Sequence, residues 1–388
     1  MYIHRTAEKE VLLSLGQNPV TALIGPRQCG KSTLAKRLIQ GLGIEKSIYL
    51  DLERPSDLRK LDDAEWFLES QRGLLVCIDE VQRKPDLFPV IRSLVDSWNE
   101  KGSFLVLGSA SMDLLKQSSE TLAGRISYKR LTPFLFKEIA GDFTLEQYIE
   151  RGGFPQSLLA NEISFSKSWR NDFITTFLER DLYQWSGFSP ATMSRMWQML
   201  AHVNGQTVNY TQLGNSLGVS NVTIRNYIDL LESTFMVDVL PPYFSNLGKR
   251  LIKAPKVYIS DSGLTLSLLG LSDFQHLMGH PAIGSIWEQI VLTNLKGHFP
   301  QSEFYHYRSS AGSEIDIIMK TGKEIIAIEC KASLSPVLAR GVFTAIEDIK
   351  PKTMLVVAPV KKGWPMRQNI EVVSLAELPE KIKSAVSC

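Results

Sequence analysis

The chain has 388 residues, 44% hydrophobic and 22% charged. This excludes a disordered or fibrous protein and supplies apolar material for two to three ordinary domains. Its 43 basic and 41 acidic residues leave a net charge of +2, a balance that is silent on nucleic acid because a local basic patch can hide in a neutral total. No apolar run approaches the roughly 18 residues of a membrane span, and the opening MYIHRTAEKE lacks the apolar centre of a secretory signal. The four cysteines, Cys29, Cys77, Cys330 and Cys388, are far apart and form no C-x-x-C pair. A reduced, cytoplasmic compartment and no membrane partner are expected.

In chain order, a helix is expected within residues 1–15, and Pro19 precedes a first strand, Val20–Ile24. A Gly-rich turn leads into an amphipathic helix, Lys31–Gln40. Strand-like runs recur at Ser47–Leu52, Leu74–Ile78 and Phe104–Leu107 with helical stretches between them, and the signal ends near Lys129–Phe136. This alternation predicts an α/β fold with a parallel sheet covered on both faces. From Leu145 to about Asn204 the pattern is helical. A helix–turn–helix-like segment, Tyr210–Leu231, and an extended stretch, Phe235–Tyr243, follow. Pro241, Pro242 and Pro255 punctuate a boundary near 245–255. The remainder predicts a helix at Ile286–Asn294 and strands near Phe304–Tyr307, Ile315–Lys320, Ile325–Cys330 and Met354–Ala358, a second α/β unit.

Gly25-Pro26-Arg27-Gln28-Cys29-Gly30-Lys31-Ser32 matches G-x-x-x-x-G-K-[ST] between a predicted strand and a predicted helix. Backbone N–H groups must converge on phosphate oxygens there, so bulky side chains are excluded at Gly25 and Gly30. The helix start, Lys31 to Thr33, offers free N–H groups and a positive dipole end. Lys31 is expected on the β- and γ-phosphates, and the Ser32 hydroxyl on Mg²⁺. The apolar run Leu74–Ile78 ends in Asp79 and Glu80, a buried strand delivering acids to the sheet's carboxyl edge. Asp79 is expected to hold Mg²⁺ through its water shell and Glu80 to polarise the attacking water. Ser109, closing another apolar strand, is a candidate sensor of the γ-phosphate or holder of that water, or a plain turn serine. Arg125 is a candidate stabiliser of transition-state charge, acting within or between subunits, or a surface ion-pair arginine. Arg27 is a weaker candidate of the same kind, and Cys29 has no expected redox role.

In the middle segment, Gly218 suits a helix C-cap and Ser220 the N-cap of the next helix. Leu213, Leu217, Val219, Ile224, Ile228 and Leu231 would form a small core, leaving Thr223, Arg225 and Asn226 outward, where DNA readers place contacts; with one base-capable arginine on that helix, the alternative is a segment used only for packing or protein contacts. Lys249, Arg250, Lys253 and Lys256 follow and are candidates for phosphate contact or for a solvated strand face. Further on, Glu314–Lys320 and Glu324–Lys331 flank Thr321-Gly322 as a hairpin. With Thr321-Gly322 as a two-residue loop, Lys320 faces Lys323 and Asp316 faces Ala327, so Asp316, Glu329 and Lys331 share one face. The diagonal Asp316–Glu329 separation is then on the order of 7–8 Å, close enough to share a metal ion. Glu288, on the preceding helix, either joins them or closes a capping box with Ser285.

The ordered set GPRQCGKSTL, LLVCIDEVQ, LGSAS, LAGRI, LTPFLFKEI, GGFP, FLERDL, YTQLGNSLGVSNVTIRNYIDLLESTFMVDVLPPY, KAPKVYISDSGL, GSEIDIIMK and AIECKAS resembles, over nearly the whole chain, prokaryotic ATP-binding proteins that pair an AAA domain with a C-terminal domain of unknown function. The resemblance implies an AAA-type P-loop ATPase domain (1–140), a helical extension (141–204), a winged helix–turn–helix (205–250) and an α/β domain like the PD-(D/E)xK nucleases (251–388). In such a domain Glu288, Asp316, Glu329 and Lys331 would hold a divalent metal and steer water. The expectation is an ATPase using ATP and Mg²⁺, coupled to a nuclease-like and DNA-binding module, and a homo-oligomer is a candidate state. The alternatives are an ATP-gated, metal-dependent DNA nuclease, or a nucleotide-dependent protein-binding switch with a non-catalytic C-terminal scaffold.

Overall fold

The computed structural model describes residues 2–43, 46–109, 118, 120–182, 189–244 and 251–387. They fall into two compact units, Met1–Phe134 with Ser233–Phe235, and Leu135–Glu232 with Met236–Cys388.

The first unit is built on five parallel strands: β1 (Val20–Gly25), β2 (Ser47–Asp51), β3 (Leu75–Asp79), β4 (Phe104–Ser109) and β5 (Ile126–Arg130), in the order β2-β3-β4-β1-β5. The inner strands β1, β3 and β4 are largely apolar on both faces because helices cover both, while the edge strands β2 and β5 are half-buried. Successive residues serve opposite faces. Val20, Ala22, Val76, Ile78, Phe104 and Val106 pack with the helix Leu87–Trp98. That helix buries Leu87, Phe88, Ile91, Leu94, Val95 and Trp98, a stripe at helical spacing. Leu23, Leu75, Cys77, Leu105 and Leu107 instead join Val11 and Leu15 of the helix Ala7–Gln17 and Leu34, Ala35 and Leu38 of the helix Lys31–Leu42. Each such aliphatic side chain contributes roughly 1.5–3 kcal/mol on burial. Because β4 lies between β1 and β3, the two motif-bearing strands end on the same edge but one strand apart.

In the second unit the stretch after Leu145 forms the helices Leu145–Arg151, Pro155–Leu158, Ile163–Thr176 and Pro190–His202, with a π-helical turn at Phe177–Leu182. The helices Tyr210–Leu217 and Asn221–Ser233 follow. Gly218, at φ +68°, ends the first, and Ser220 Oγ accepts the Thr223 N–H at 3.1 Å to start the second. Then β6 (Val237–Leu240) pairs antiparallel with β7 (Lys256–Ile259).

A six-stranded mixed sheet completes this unit. It holds β8 (Glu303–Arg308), β9 (Glu314–Thr321), β10 (Glu324–Cys330), β11 (Thr353–Val357), β12 (Trp364–Arg367) and β13 (Ile370–Val373), in the order β12-β13-β11-β10-β9-β8. The β9–β10 hairpin departs from the sequence expectation. Thr321 pairs with Glu324 and Ile325 with Lys320, so the two-residue loop is Gly322-Lys323, with Gly322 at φ +59°. The positive-φ residue stands first in the loop rather than second, and the register moves by two. Continuing from the Ile328–Ile317 pair, Asp316 lies opposite Glu329 rather than Ala327. A shift of two preserves the faces and shortens the diagonal to a direct cross-strand pair.

Candidate functional site

The loop after β1 is shaped from beneath as well as by any ligand above. A Cβ on Gly25 would stand 2.1 Å from the Leu131 carbonyl oxygen, so the strand's own neighbour excludes a side chain there. Gln28 and Gly30 adopt positive φ, +59° and +104°, which turns successive backbone N–H groups inward as an anion-binding nest requires. Gly30 caps the helix Lys31–Leu42 without a side-chain bond, so the first-turn N–H groups of Lys31, Ser32 and Thr33 have no side-chain cap. Lys31 is buried, and its Nζ donates to the carbonyls of Gly25 (3.0 Å) and Pro26 (2.8 Å). Cys29 is buried with its Sγ at 3.5 Å from Leu131 O. Arg27 is half-buried in the loop.

Sequence reasoning missed Arg5. Buried at the start of the chain, it donates to Cys29 O (3.1 Å), Thr132 O (2.5 Å) and Pro133 O (3.1 Å) and stacks on Phe134. It ties the phosphate loop to the segment after β5. No local pattern marks it, because the carbonyls and the ring its guanidinium meets lie far along the chain.

At the carboxyl edge, β3 ends in buried Asp79, whose Oδ1 accepts the Glu80 N–H at 2.9 Å and whose Oδ2 accepts the Tyr49 hydroxyl. Glu80 sits in the left-handed region at φ +56°, ψ +44°. A non-glycine residue there carries backbone strain, which turns the chain sharply and separates the two acids. Gln82 Nε2 donates to Glu80 Oε2 and holds that carboxylate in place. The β1–β4 register sets Ser109 beside Gly25, at the end of the strand between the two motifs; its side chain lies outside the described residues.

Arg125 is not at this edge. Its carbonyl accepts the Val20 N–H, at the amino end of β1. Strands rise about 3.3 Å per residue, so this point is roughly 16 Å from Gly25. The guanidinium is engaged by Asp96, through Nε and through Nη2 at 2.9 Å. Within one chain it therefore stands away from the phosphate loop, because β5 runs parallel to β1 and presents its beginning, not its end, next to Arg125.

The second unit brings Glu288, Asp316, Glu329 and Lys331 together with Lys256, Tyr258 and Glu314. Ser285 lies inside the helix Ile283–His298 and donates to Ala282 O, so no capping box forms with Glu288. Instead Glu288 Oε1 accepts from Lys256 Nζ (2.9 Å) and the Tyr258 hydroxyl. Lys256 Nζ also lies 3.1 Å from Glu314 and 4.0 Å from Asp316. The basic-tail reading fails for Lys256: it is 3% exposed and faces carboxylates because β7 directs its side chain inward. Of the same run, Lys253 is exposed, while Lys249 and Arg250 lie outside the described residues. Asp316 Oδ2 accepts the Cys330 N–H (2.9 Å), and Lys331 Nζ donates to Glu329 Oε1 (2.7 Å).

Burial, then repulsion by Asp316, pushes the Glu288 carboxyl up to about 7 against the pull of Lys256. Burial, then Asp316, pushes Glu329 up to about 8. Burial opposes the charge on Lys256, but Glu288, Asp316 and Glu314 outweigh it and raise its pKa. Glu329 Oε2 is buried, with no hydrogen-bond partner among the described residues. Among the described residues no three His, Cys, Asp or Glu side chains stand in metal-holding geometry; the Lys256 ammonium occupies the space between the acids. In the helix–turn–helix segment, Arg225 lies over the Tyr210 ring at 4.2 Å, which restrains the one arginine expected to face outward.

Comparison with known proteins places an AAA domain over the strands of the first unit. The AAA domain family matches residues 17–140, and two families described as domains of unknown function, DUF8612 and DUF4143, match 142–275 and 283–378. The chain thus carries an AAA domain followed by a C-terminal DUF4143 domain. It is 37% identical over 370 residues to the uncharacterized proteins Rv2008c of Mycobacterium tuberculosis and Mb2031c of Mycobacterium bovis, covering 95% of this chain and 83% of each relative. It belongs to the family of those mycobacterial proteins. Among solved structures, the Walker-type ATPase PABY2304 of Pyrococcus abyssi is similar at 14% identity and a TM-score of 0.45, over 69% of this chain and 96% of that one. No helix among the described residues is long and apolar enough to cross a membrane.

Proposed function

We propose that the first unit hydrolyses ATP and that its nucleotide state governs what the second unit binds. The observation that carries this reading is Glu80, strained into a left-handed turn beside buried Asp79 at the edge where the phosphate loop ends. Lys31 and the N–H groups of the helix start would receive the phosphates, and Glu80 would orient and deprotonate the attacking water. Ser32 and Asp79 offer a hydroxyl and a buried carboxylate, the oxygen set that suits Mg²⁺. When bound, Mg²⁺ supplies charge that offsets the phosphate oxygens. The test is phosphate release by the full chain, wild type beside Glu80→Gln, with and without duplex DNA at low salt. Stimulation by DNA supports a nucleic-acid partner for the helix–turn–helix segment. Turnover indifferent to DNA supports a protein partner and a C-terminal scaffold. Unchanged turnover in Glu80→Gln removes Glu80 as the base.

A second reading concerns the acid cluster as the metal site of a nuclease-like domain. Its support is Glu329 Oε2, a buried acceptor without a donor, beside Asp316 and Glu288. Mg²⁺ or Mn²⁺ would be held by Asp316, Glu329 and Glu288 once Lys256 withdraws, and Lys331 would remain as the local cation. A Mn²⁺ titration and a DNA cleavage assay, on wild type and on Asp316→Ala and Lys331→Ala, test this. Metal binding that survives Asp316→Ala sinks it.

A further inference from the structure

Tyr49, on the outer strand β2, has no place in the phosphate-binding motifs, yet its hydroxyl reaches the acid at the end of β3. It donates to Asp79 Oδ2 at the end of β3. The Tyr49 ring packs under Lys36 of the helix Lys31–Leu42, which also carries Ser32, with Nζ 4.8 Å from the ring centroid. A tyrosine hydroxyl has one proton to give, and here it goes to Asp79. Asp79 is fixed by two donors, the Glu80 N–H on Oδ1 and Tyr49 on Oδ2, and cannot rotate without breaking one.

We infer that Tyr49 is a positioning residue for the magnesium site, holding the Asp79 carboxylate in the orientation a metal ion would meet. The inference rests on the nucleotide-binding reading above. Sheet order supplies its physical reason. β2 pairs with β3 so that Tyr49 stands beside Cys77, two residues before Asp79 on the same strand, which brings its hydroxyl to the Asp79 carboxylate. Removing an outer partner of a metal ligand typically costs about 10–100-fold in metal affinity.

The experiment is equilibrium binding of a fluorescent ATP analogue to the full chain, titrated with Mg²⁺ and repeated in EDTA. Tyr49→Phe is expected to raise the Mg²⁺ concentration for half-maximal binding about tenfold while leaving the affinity in EDTA unchanged. In an Asp79→Asn background, Tyr49→Phe is expected to add nothing, since both act through one carboxylate. An unchanged Mg²⁺ requirement overturns the inference. So does an equal loss in EDTA, which marks a residue that only supports the fold. A wild type that binds no analogue in either buffer overturns the nucleotide-binding reading, and this inference with it.

Discussion

The two carboxylate sites of this chain are neutralised in different ways. Asp79 and Glu80 are held by neutral donors: a tyrosine hydroxyl, a backbone N–H and the Gln82 amide. Such donors orient an acid without cancelling its charge, so the site keeps its negative potential for an incoming cation. Glu288, Glu314 and Asp316 instead surround the Lys256 ammonium, and Glu329 is paired with Lys331. A buried ion-pair cluster satisfies its charges internally, and opening it leaves one partner exposed to a low-dielectric interior. The first arrangement is ready for a ligand, whereas the second has to exchange its own lysine for one.

The largest expected effects break the first arrangement. Lys31→Ala is expected to abolish nucleotide binding by calorimetric titration, because Lys31 is the buried cation of the loop. Glu80→Gln is expected to retain binding and slow phosphate release by about 10²-fold or more, since only water activation is lost. Equal loss of binding in both would erase the distinction between holding charge and using it.

Next comes Lys256→Ala. Leaving buried acids unpaired is expected to cost about 3–5 kcal/mol in chemical denaturation of the second unit. Mn²⁺ is expected to restore part of that stability if the acids form a cation seat. Denaturation insensitive to Mn²⁺ would make the cluster purely structural.

A smaller effect separates the sites by pH. The folded pKa of Glu288 is raised from 4.5 to about 7. Between those values the folded chain binds more protons than the unfolded one, so stability falls as pH rises through this window. Glu288→Gln is expected to remove that contribution. Without divalent metal, its melting temperature should gain on wild type between about pH 5 and about pH 8. A constant difference across that range would mean that Glu288 is not held protonated in the fold.

The smallest effect is expected for Arg125→Ala, whose partner Asp96 lies on the surface. Nucleotide affinity should be unchanged and thermal stability only slightly reduced. Turnover lost in this variant and regained on mixing with Lys31→Ala would instead place Arg125 in the site of a neighbouring subunit.

Contiguous pattern made the phosphate loop, the acid-tipped strand and the period-2 strands legible, because each is a local demand: a turn, a helix start, two covered faces. The same locality misled at Gly322-Lys323, where turn composition alone left the register open by two residues, and at Ser285, where a capping spacing fell inside a helix. Tyr49, Gln82, Arg5 and Lys256 carried no local sign. The sequence by itself determined where the loop, the helix start and the acid-tipped strand lie and how the strands alternate, since those depend on near neighbours in the chain. Tertiary structure alone decided which donor orients Asp79, where Arg125 stands and which cation the buried acids hold, because strand order and side-chain direction bring together groups dozens of residues apart.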